Sequence, residues 1–424
     1  MINSWHKLFL EERPSISLSL FRIAAAVTVG AHVIPTLCNL TDNYYATAFK
    51  TYNFNFFTPE VISFVQRSSD GFVLGAAIFF VIVWFSFLAG LFTQLSCVLM
   101  TLACYYFYAL NSFHVGTLSW DILLVTLFLM CLTPYSGDYF SVDALRKGDP
   151  EGFKRKRSFF LQRLLQMQIA FTFFYTALYK ISPAGNWLTD NTVYYLMNEP
   201  PAGVTKWFLL RDFVMDKPQL CYGIGLAIVS IELLMPFLLF CRKTRLSAIY
   251  CGVFFHIVLL LTMDVPAIFF FLFPAQLFLF IDPGNIVRWI EQKRMVNAST
   301  ARAKLIYDGN CGFCRNSVRQ LLVMDLFRVL HIVDFQTVQD PAVLHPALTK
   351  EKCVSQLHLI EPNGMLYGGF DVFRRICFTL PMLYPMIFVL YFPGAGIVGP
   401  LVYRWVAKNR YFFNVKCKIQ NEKS

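Results

Sequence analysis

Apolar residues come in long blocks, separated by short polar segments, through the first two thirds of the chain. The runs 18–38, 72–92, 95–113, 118–134, 159–180, 219–241, 246–263 and 265–281 are poor in charge and predict about eight membrane-crossing helices. Two of them, 118–134 and 265–281, are short for a crossing. Residues 1–17 are mixed, contain Glu11 and Glu12 and lack a small-residue cleavage site, so the first run is expected to be retained rather than removed. Basic residues crowd three loops: Arg146, Lys147 and Lys154 to Arg157; Arg242, Lys243 and Arg245; and Arg288, Lys293, Arg294, Arg302 and Lys304. Each pair of loops is separated by two runs, so the positive-inside rule puts all three in the cytoplasm, with both termini. The long intervening loops, 39–71 and 181–218, are aromatic and expected to lie at the interface as partial helices.

The pattern changes after residue 303. Lys304–Tyr307 reads as a strand, 312–323 as a helix, Val329–Val333 as a second strand and Leu357–Ile360 as a third. A turn at Glu361-Pro362-Asn363-Gly364 leads to a short fourth strand. This order predicts a small α/β thioredoxin-like domain behind an α-helical multi-pass membrane domain. The expected boundaries are 1–283 for the membrane domain, 284–302 for a linker, 303–412 for the α/β domain and 413–424 for a basic tail. The uncharged stretch 378–402 holds four prolines and three glycines. Two readings stand for it, a membrane-seated hairpin and a span.

Composition agrees with a membrane protein. The chain is 56% hydrophobic and 15% charged, against about 25% charged in soluble domains. Its net charge of +11 falls in loops, and no basic stripe interleaved with stacking aromatics appears, so no nucleic-acid partner is expected. Membrane lipids are the expected surroundings, in the cytoplasmic (inner) membrane of a bacterium.

Twelve cysteines are present, and only Cys311 and Cys314 have a telling spacing. No second pair with zinc-site spacing exists, so no metal is expected. A Cys-x-x-Cys between a strand and a helix puts the first thiol at the helix N-terminus, where unpaired N–H groups favour thiolate. The second lies one turn on, within reach to resolve a mixed disulfide. Cys311 is thus the expected nucleophile and Cys314 the resolving thiol. Asp308 either tunes them as a buried acid or only makes the turn with Gly309.

Polar residues inside the apolar runs form a second set of candidates. Glu232 and His256 have nearly equal depth on consecutive antiparallel runs, as a relay or ligand site or as a structural pair. Lys180, Asp121, His114 and His32 gather towards the opposite face. Lys180 either snorkels outward or acts as a desolvated base. Arg22 and Arg163 are expected at the inner surface, against headgroups or helix ends.

Two resemblances cover nearly the whole chain. Ser17 to Ile23, Ser141-Val142-Asp143, Tyr175 to Trp187, Glu232 to Pro236, Arg245 and His256 resemble the HTTM family, horizontally transferred transmembrane domains related to vitamin K-dependent gamma-carboxylase. In the carboxylases a Lys shortly before a Trp is the base that deprotonates vitamin K hydroquinone, and Lys180 with Trp187 is similar. This implies a catalytic Lys180 and a quinone-like or lipid ligand near Glu232, His256, Asp121 and His114. The carboxylases' luminal C-terminal domain and histidine motif have no counterpart, so glutamate carboxylation is not expected. Tyr307-Asp308-Gly309-x-Cys311-x-x-Cys314, Ser355, Gly364, Gly368-Gly369 and Tyr403 to Arg410 resemble the DCC family of thiol-disulfide oxidoreductases. No Pro directly precedes strand 357–360, where thioredoxin has its cis-Pro, and Ser355 is expected in that place.

The expected function is a membrane-anchored protein thiol-disulfide oxidoreductase with a thiol-containing protein partner. The alternative is a transporter, lipid-handling or peptide-maturation protein with an accessory thiol domain. On this topology the thiols and Lys180 lie about a bilayer apart.

Overall fold

The computed structural model describes residues 9–50, 57–111, 117–188, 192–198, 213–214, 216–263, 268–300 and 302–421. It divides into two compact units, one of residues 1–141 and 156–283, the other of 142–155 and 284–424.

The first unit is helical. Its long helices are α1 (Ile16–Leu37), α2 (Asp70–Ala89), α3 (Thr93–Leu110), α4 (Thr117–Met130), α5 (Phe160–Ile181), α6 (Pro218–Phe240), α7 (Arg245–Thr262) and α8 (Ile268–Phe278). All eight expected runs therefore hold helix. Five of them, α1, α2, α3, α6 and α7, are long and apolar enough to cross a membrane unaided. Counting each sharply bent helix pair as one span raises the number to seven among the described residues. The helices that fall short do so for visible reasons. Helix α4 has 14 residues. Helix α5 carries a polar stripe that turns towards protein: Gln162 and Gln166 both donate to the Leu279 carbonyl, at 2.6 and 2.7 Å. Gln168 donates to the Ile122 carbonyl at 2.9 Å. Such bonds suit side chains that would find no partner in lipid.

Local chemistry sets the helix ends. Ser69 accepts from the Phe72 N–H to open α2, and Gly90 closes it in the left-handed conformation at φ 66°. Short helices, Leu40–Asn43, Pro59–Gln66 and Thr192–Asn198, occupy parts of the two long loops. Strands β1 (Glu12–Pro14) and β2 (Lys156–Ser158) pair antiparallel and tie the segment before α1 to the start of α5. Arg22 meets the end of the short helix Pro134–Gly137, one of the two expected partners. It is fully buried and donates to the Ser136 carbonyl at 2.8 Å and to that of Phe140. It thus ties α1 to the segment after α4. Arg163 bonds Gln166 at 2.6 Å and lies over the rings of Phe159 and Phe240.

The second unit opens with α9 (Pro283–Ala298), so the segment expected as a linker is largely helical. Next come β3 (Ala303–Tyr307), α10 (Gly312–Met324), β4 (Leu330–Asp334), α11 (Lys350–Ser355), β5 (His358–Ile360), β6 (Leu366–Gly368), α12 (Phe370–Thr379), α13 (Tyr384–Leu390) and α14 (Ala395–Asn421). The sheet order is β4-β3-β5-β6, with β3 parallel to β4 and the other pairings antiparallel. A βαβ unit followed by an antiparallel hairpin is the arrangement expected of a thioredoxin-like domain. Leu305, Val318, Leu359, Val372 and Ile376 form its core. The loop 142–155, assigned from sequence to the membrane domain, packs in this unit instead. Glu151 meets Lys154, Arg294 and Arg328 at 3.0, 2.6 and 3.1 Å, and Arg319 donates to the carbonyls of Gly148 and Lys147. The proline-rich stretch breaks as its composition requires. The chain bends by 115° between α12 and the helix from Pro381 to Leu390. It turns again at Gly394, φ 94°, before α14.

Candidate functional site

The thiols occupy the β3–α10 connection. Cys311 is the N-cap of α10, in extended conformation, and its Sγ accepts from the Cys314 N–H at 3.2 Å. This is the contact expected of a side-chain acceptor that caps a helix N-terminus. Neither cysteine is in a disulfide, and both are buried, Cys311 fully. Burial, then the hydrogen bond and charge of Cys311, push the Cys314 thiol up to about 12, with Arg410 opposing and Asp308 adding to the rise. The two sulfurs are thus unequal. Cys311 accepts a backbone N–H, and Cys314 is held as a neutral thiol.

Asp308 makes the turn and is buried. Its Oδ1 accepts from the Asn310 N–H at 3.1 Å, which makes the turn, and from Gln336 Nε2 at 2.9 Å. Its Oδ2 lies 4.0 Å from Arg410 Nη2, both groups being buried. Gly309 is needed here for space: a side chain on it would run into the Asp334 carboxylate, which takes the Gly309 N–H at 3.0 Å. Gln336, Asp334 and Arg410 are site residues that sequence reasoning did not assign. Only Arg410 carried a signal, as the end of the Tyr403–Arg410 segment.

Ser355 is not in the place expected for it. It ends α11, is exposed, and bonds the Lys352 carbonyl at 2.8 Å. The backbone at that point belongs to Leu357, whose N–H donates to the Tyr403 hydroxyl at 3.0 Å and whose carbonyl accepts from Gly369. Arg410 reaches the Val354 carbonyl. A cavity of about 800 Å³ lies between α10, α12, α13 and α14, and Cys314, Asp308, Tyr403 and Arg410 are in its wall.

In the helical unit, Lys180 pairs with Glu232, side chains mostly buried, and lies 4.9 Å from the centre of the Trp187 ring. A tight turn brings Trp187 back: its N–H bonds the Lys180 carbonyl at 3.1 Å, and Gly185 packs against the Tyr179 carbonyl too closely for any side chain. Glu232 Oε2 has no hydrogen-bond partner among the described residues, and neither ring nitrogen of His256 has one. His256 is buried among the rings of Phe173, Phe269 and Phe273, 5.4 to 6.3 Å away. Lys180, Glu232 and His256 line a cavity of about 230 Å³. The sequence paired Glu232 with His256 and set Lys180 apart; in the structure the bond is Lys180–Glu232, with His256 sharing the cavity. Asp121 does not line this cavity and accepts from the Tyr108 hydroxyl at 2.8 Å. His32 meets Trp120 edge-on at 5.4 Å. His114 lies outside the described residues.

Comparison with known proteins bears on both units. No match was found among curated proteins or among solved structures. The model of the DCC1-like thiol-disulfide oxidoreductase family matches residues 305–416, which hold the thiols, Asp308 and Arg410. The HTTM domain model matches residues 11–284, which hold Lys180, Glu232 and His256 and make up more than half of the chain. The chain is a membrane-associated redox protein that belongs to the HTTM family and carries a DCC1-like thiol-disulfide oxidoreductase domain after its helical unit.

Proposed function

We propose that the protein is a membrane-anchored thiol-disulfide oxidoreductase that cycles between the Cys311/Cys314 dithiol and its disulfide. The observation that carries this is the Cys311 sulfur capping α10 and accepting the Cys314 N–H. Cys311 attacks a disulfide of a partner protein, and one partner sulfur leaves as thiol. Cys314 then gives up its proton and attacks the Cys311 sulfur, closing the internal disulfide and releasing the second partner thiol. Asp308, which shares the cavity wall with Cys314, is the carboxylate that takes that proton. Two electrons and two protons pass to the partner. A cytoplasmic face suits this direction, because thiols there are kept reduced. Packing of the basic loop 142–155 in the thiol-bearing unit supports placing both on that side, in a bacterial inner membrane with both termini inside.

The test is a redox titration of the full-length protein in detergent against dithiothreitol mixtures, with thiols counted by mass after alkylation. One two-electron step assigned to Cys311–Cys314 is expected. Absence of that disulfide at every potential overturns the reading.

The helical unit supports a second site. A buried Lys–Glu pair beside a histidine without hydrogen-bond partners, in a small aromatic cavity, suits the polar head of a quinone-like or lipid ligand, with Lys180 as base. Loss of bound quinone or lipid head in Lys180→Met, with His256→Phe weakening it further, is expected by mass spectrometry of the purified protein. Unchanged binding in both variants removes this site.

A further inference from the structure

We propose that the cavity beside Cys314 is the site of a lipophilic quinone that takes electrons directly from the Cys311/Cys314 dithiol. The proposal rests on the reading that these thiols cycle, and adds the identity of one electron acceptor. The cavity lies within the thiol unit, and a sulfur is part of its wall.

Its size is about 800 Å³, within the roughly 300–1,000 Å³ of small-molecule sites. Its lining is unequal. Phe313, Phe370, Phe373 and Phe392 contribute flat aromatic surface. On α14, Val398, Val402 and Val406 recur at four-residue spacing and give the cavity one apolar side. Gly399 lacks a side chain where one would strike the Phe370 ring. Polar groups are few: Arg410, Tyr403, Gln356, Ser317 and Asp308 lie with Cys314. A flat ring with carbonyl oxygens and an apolar tail matches this division. The ring stacks on phenylalanine, a carbonyl oxygen takes a proton donor from Arg410 or Tyr403, and the tail follows the valines.

A peptide fits less well. Extended peptides bind by backbone hydrogen bonds. Leu357, in the cavity wall, has its N–H on Tyr403 and its carbonyl on Gly369. The way in also favours a lipid-soluble ligand. Phe388, Phe392 and Ile397, on and between α13 and α14, are 82%, 68% and 73% exposed, an apolar surface suited to a bilayer.

The reaction balances without a further co-reactant. Two S–H bonds break, one S–S bond forms between Cys311 and Cys314, and the two electrons and two protons leave on the quinone, whose two C=O groups become C–OH. Arg410 stabilises negative charge that develops on the oxygen nearest it.

The test uses reduced full-length protein in nanodiscs, without oxygen, and a fully substituted short-chain benzoquinone, which accepts electrons but cannot be arylated by thiols. Hydroquinone is followed by absorbance and the disulfide by peptide mapping, which separates Cys311–Cys314 from pairings with Cys353, also in the cavity wall. One hydroquinone per Cys311–Cys314 disulfide is expected. Filling the cavity with Val406→Trp should slow this at least tenfold relative to oxidation by oxidised dithiothreitol. Val398→Trp, two turns earlier and more exposed, serves the same purpose if the first variant does not fold. Equal quinone rates in wild type and folded variants overturn the proposal. Disulfide formation with oxidised dithiothreitol but not with quinone also overturns it, and leaves the oxidoreductase reading standing. No disulfide with either oxidant defeats both.

Discussion

The inequality of the two sulfurs makes a quantitative prediction. Cys314 is pushed up to about 12, mainly by burial. At pH 7 such a thiol is roughly one part in 100,000 thiolate, against about 3 parts in 100 for a free cysteine near 8.5, a ratio of about 3,000. A more basic thiolate is also a better nucleophile. With a Brønsted slope of about 0.45, 3.5 units return a factor of about 40. The net slowing of Cys314 towards an alkylating reagent is therefore about 80-fold relative to an exposed thiol, before any steric hindrance. The perturbation is Cys311→Ser, which removes the competing sulfur, keeps an oxygen cap on α10 and leaves burial in place. Losing Cys311 removes its share of the rise, so at least a tenfold slowing is expected. The assay is iodoacetamide labelling of folded protein, resolved by peptide mass, from pH 7 to 11. The sign is definite: the rate constant climbs about tenfold per pH unit past pH 9, where a free thiol has already levelled off. Levelling near 8.5 to 9, or labelling at pH 7 as fast as an exposed thiol, would refute the argument that burial holds Cys314 neutral and with it the division of roles.

Other consequences can be checked alongside. Asp308→Asn removes a charge that raises Cys314, and Arg410→Gln removes one that lowers it. The labelling curve should therefore move to lower pH in the first and to higher pH in the second; shifts of the same sign would contradict the ion-pair geometry. Cys314→Ser should accumulate a mixed disulfide with a partner protein, seen as a reducible shift on a non-reducing gel, and Cys311→Ser should not. In the helical unit, Lys180→Met leaves Glu232 buried without its partner and should cost about 3–5 kcal/mol. Lys180→Met with Glu232→Gln should recover most of it by thermal denaturation in detergent, and equal losses in single and double variants would mean the pair is not coupled. Gly309→Ala should lower the melting temperature and impair disulfide formation, since its methyl has to displace the Asp334 carboxylate.

Local patterns were legible because their causes lie a few residues apart. The Cys-x-x-Cys reads as a capped thiol because cap and capped N–H are three residues apart, and the structure has that bond. The succession of strands and helices followed from strand alternation and one turn. The site around the thiols was less legible. Arg410 comes 102 residues after Asp308 in number, and its return depends on how α14 lies along α10 and α11, which no local periodicity encodes. Ser355 was misplaced for the same reason. A missing proline suggested a substitute beside it, whereas Tyr403, from a distant helix, holds the backbone there.

Residues inside the apolar runs show where counting along helices stops being informative. Rise per residue gives the depth of Glu232 and His256 correctly enough to put both in one cavity. Depth says nothing about which way each side chain turns around its axis, and that angle decides partners. A chemical constraint was available to supply it. Lys180 and Glu232 have opposite charges in neighbouring long helices, and a charge left alone at bilayer depth is costly. A lysine with a flexible four-carbon stem reaches across depths that a residue count treats as separate. Pairing by charge before pairing by level joins Lys180 to Glu232 and leaves His256 with Phe173, Phe269 and Phe273 around it. The same priority explains Arg22: a buried guanidinium takes carbonyl acceptors within the protein, here those of Ser136 and Phe140.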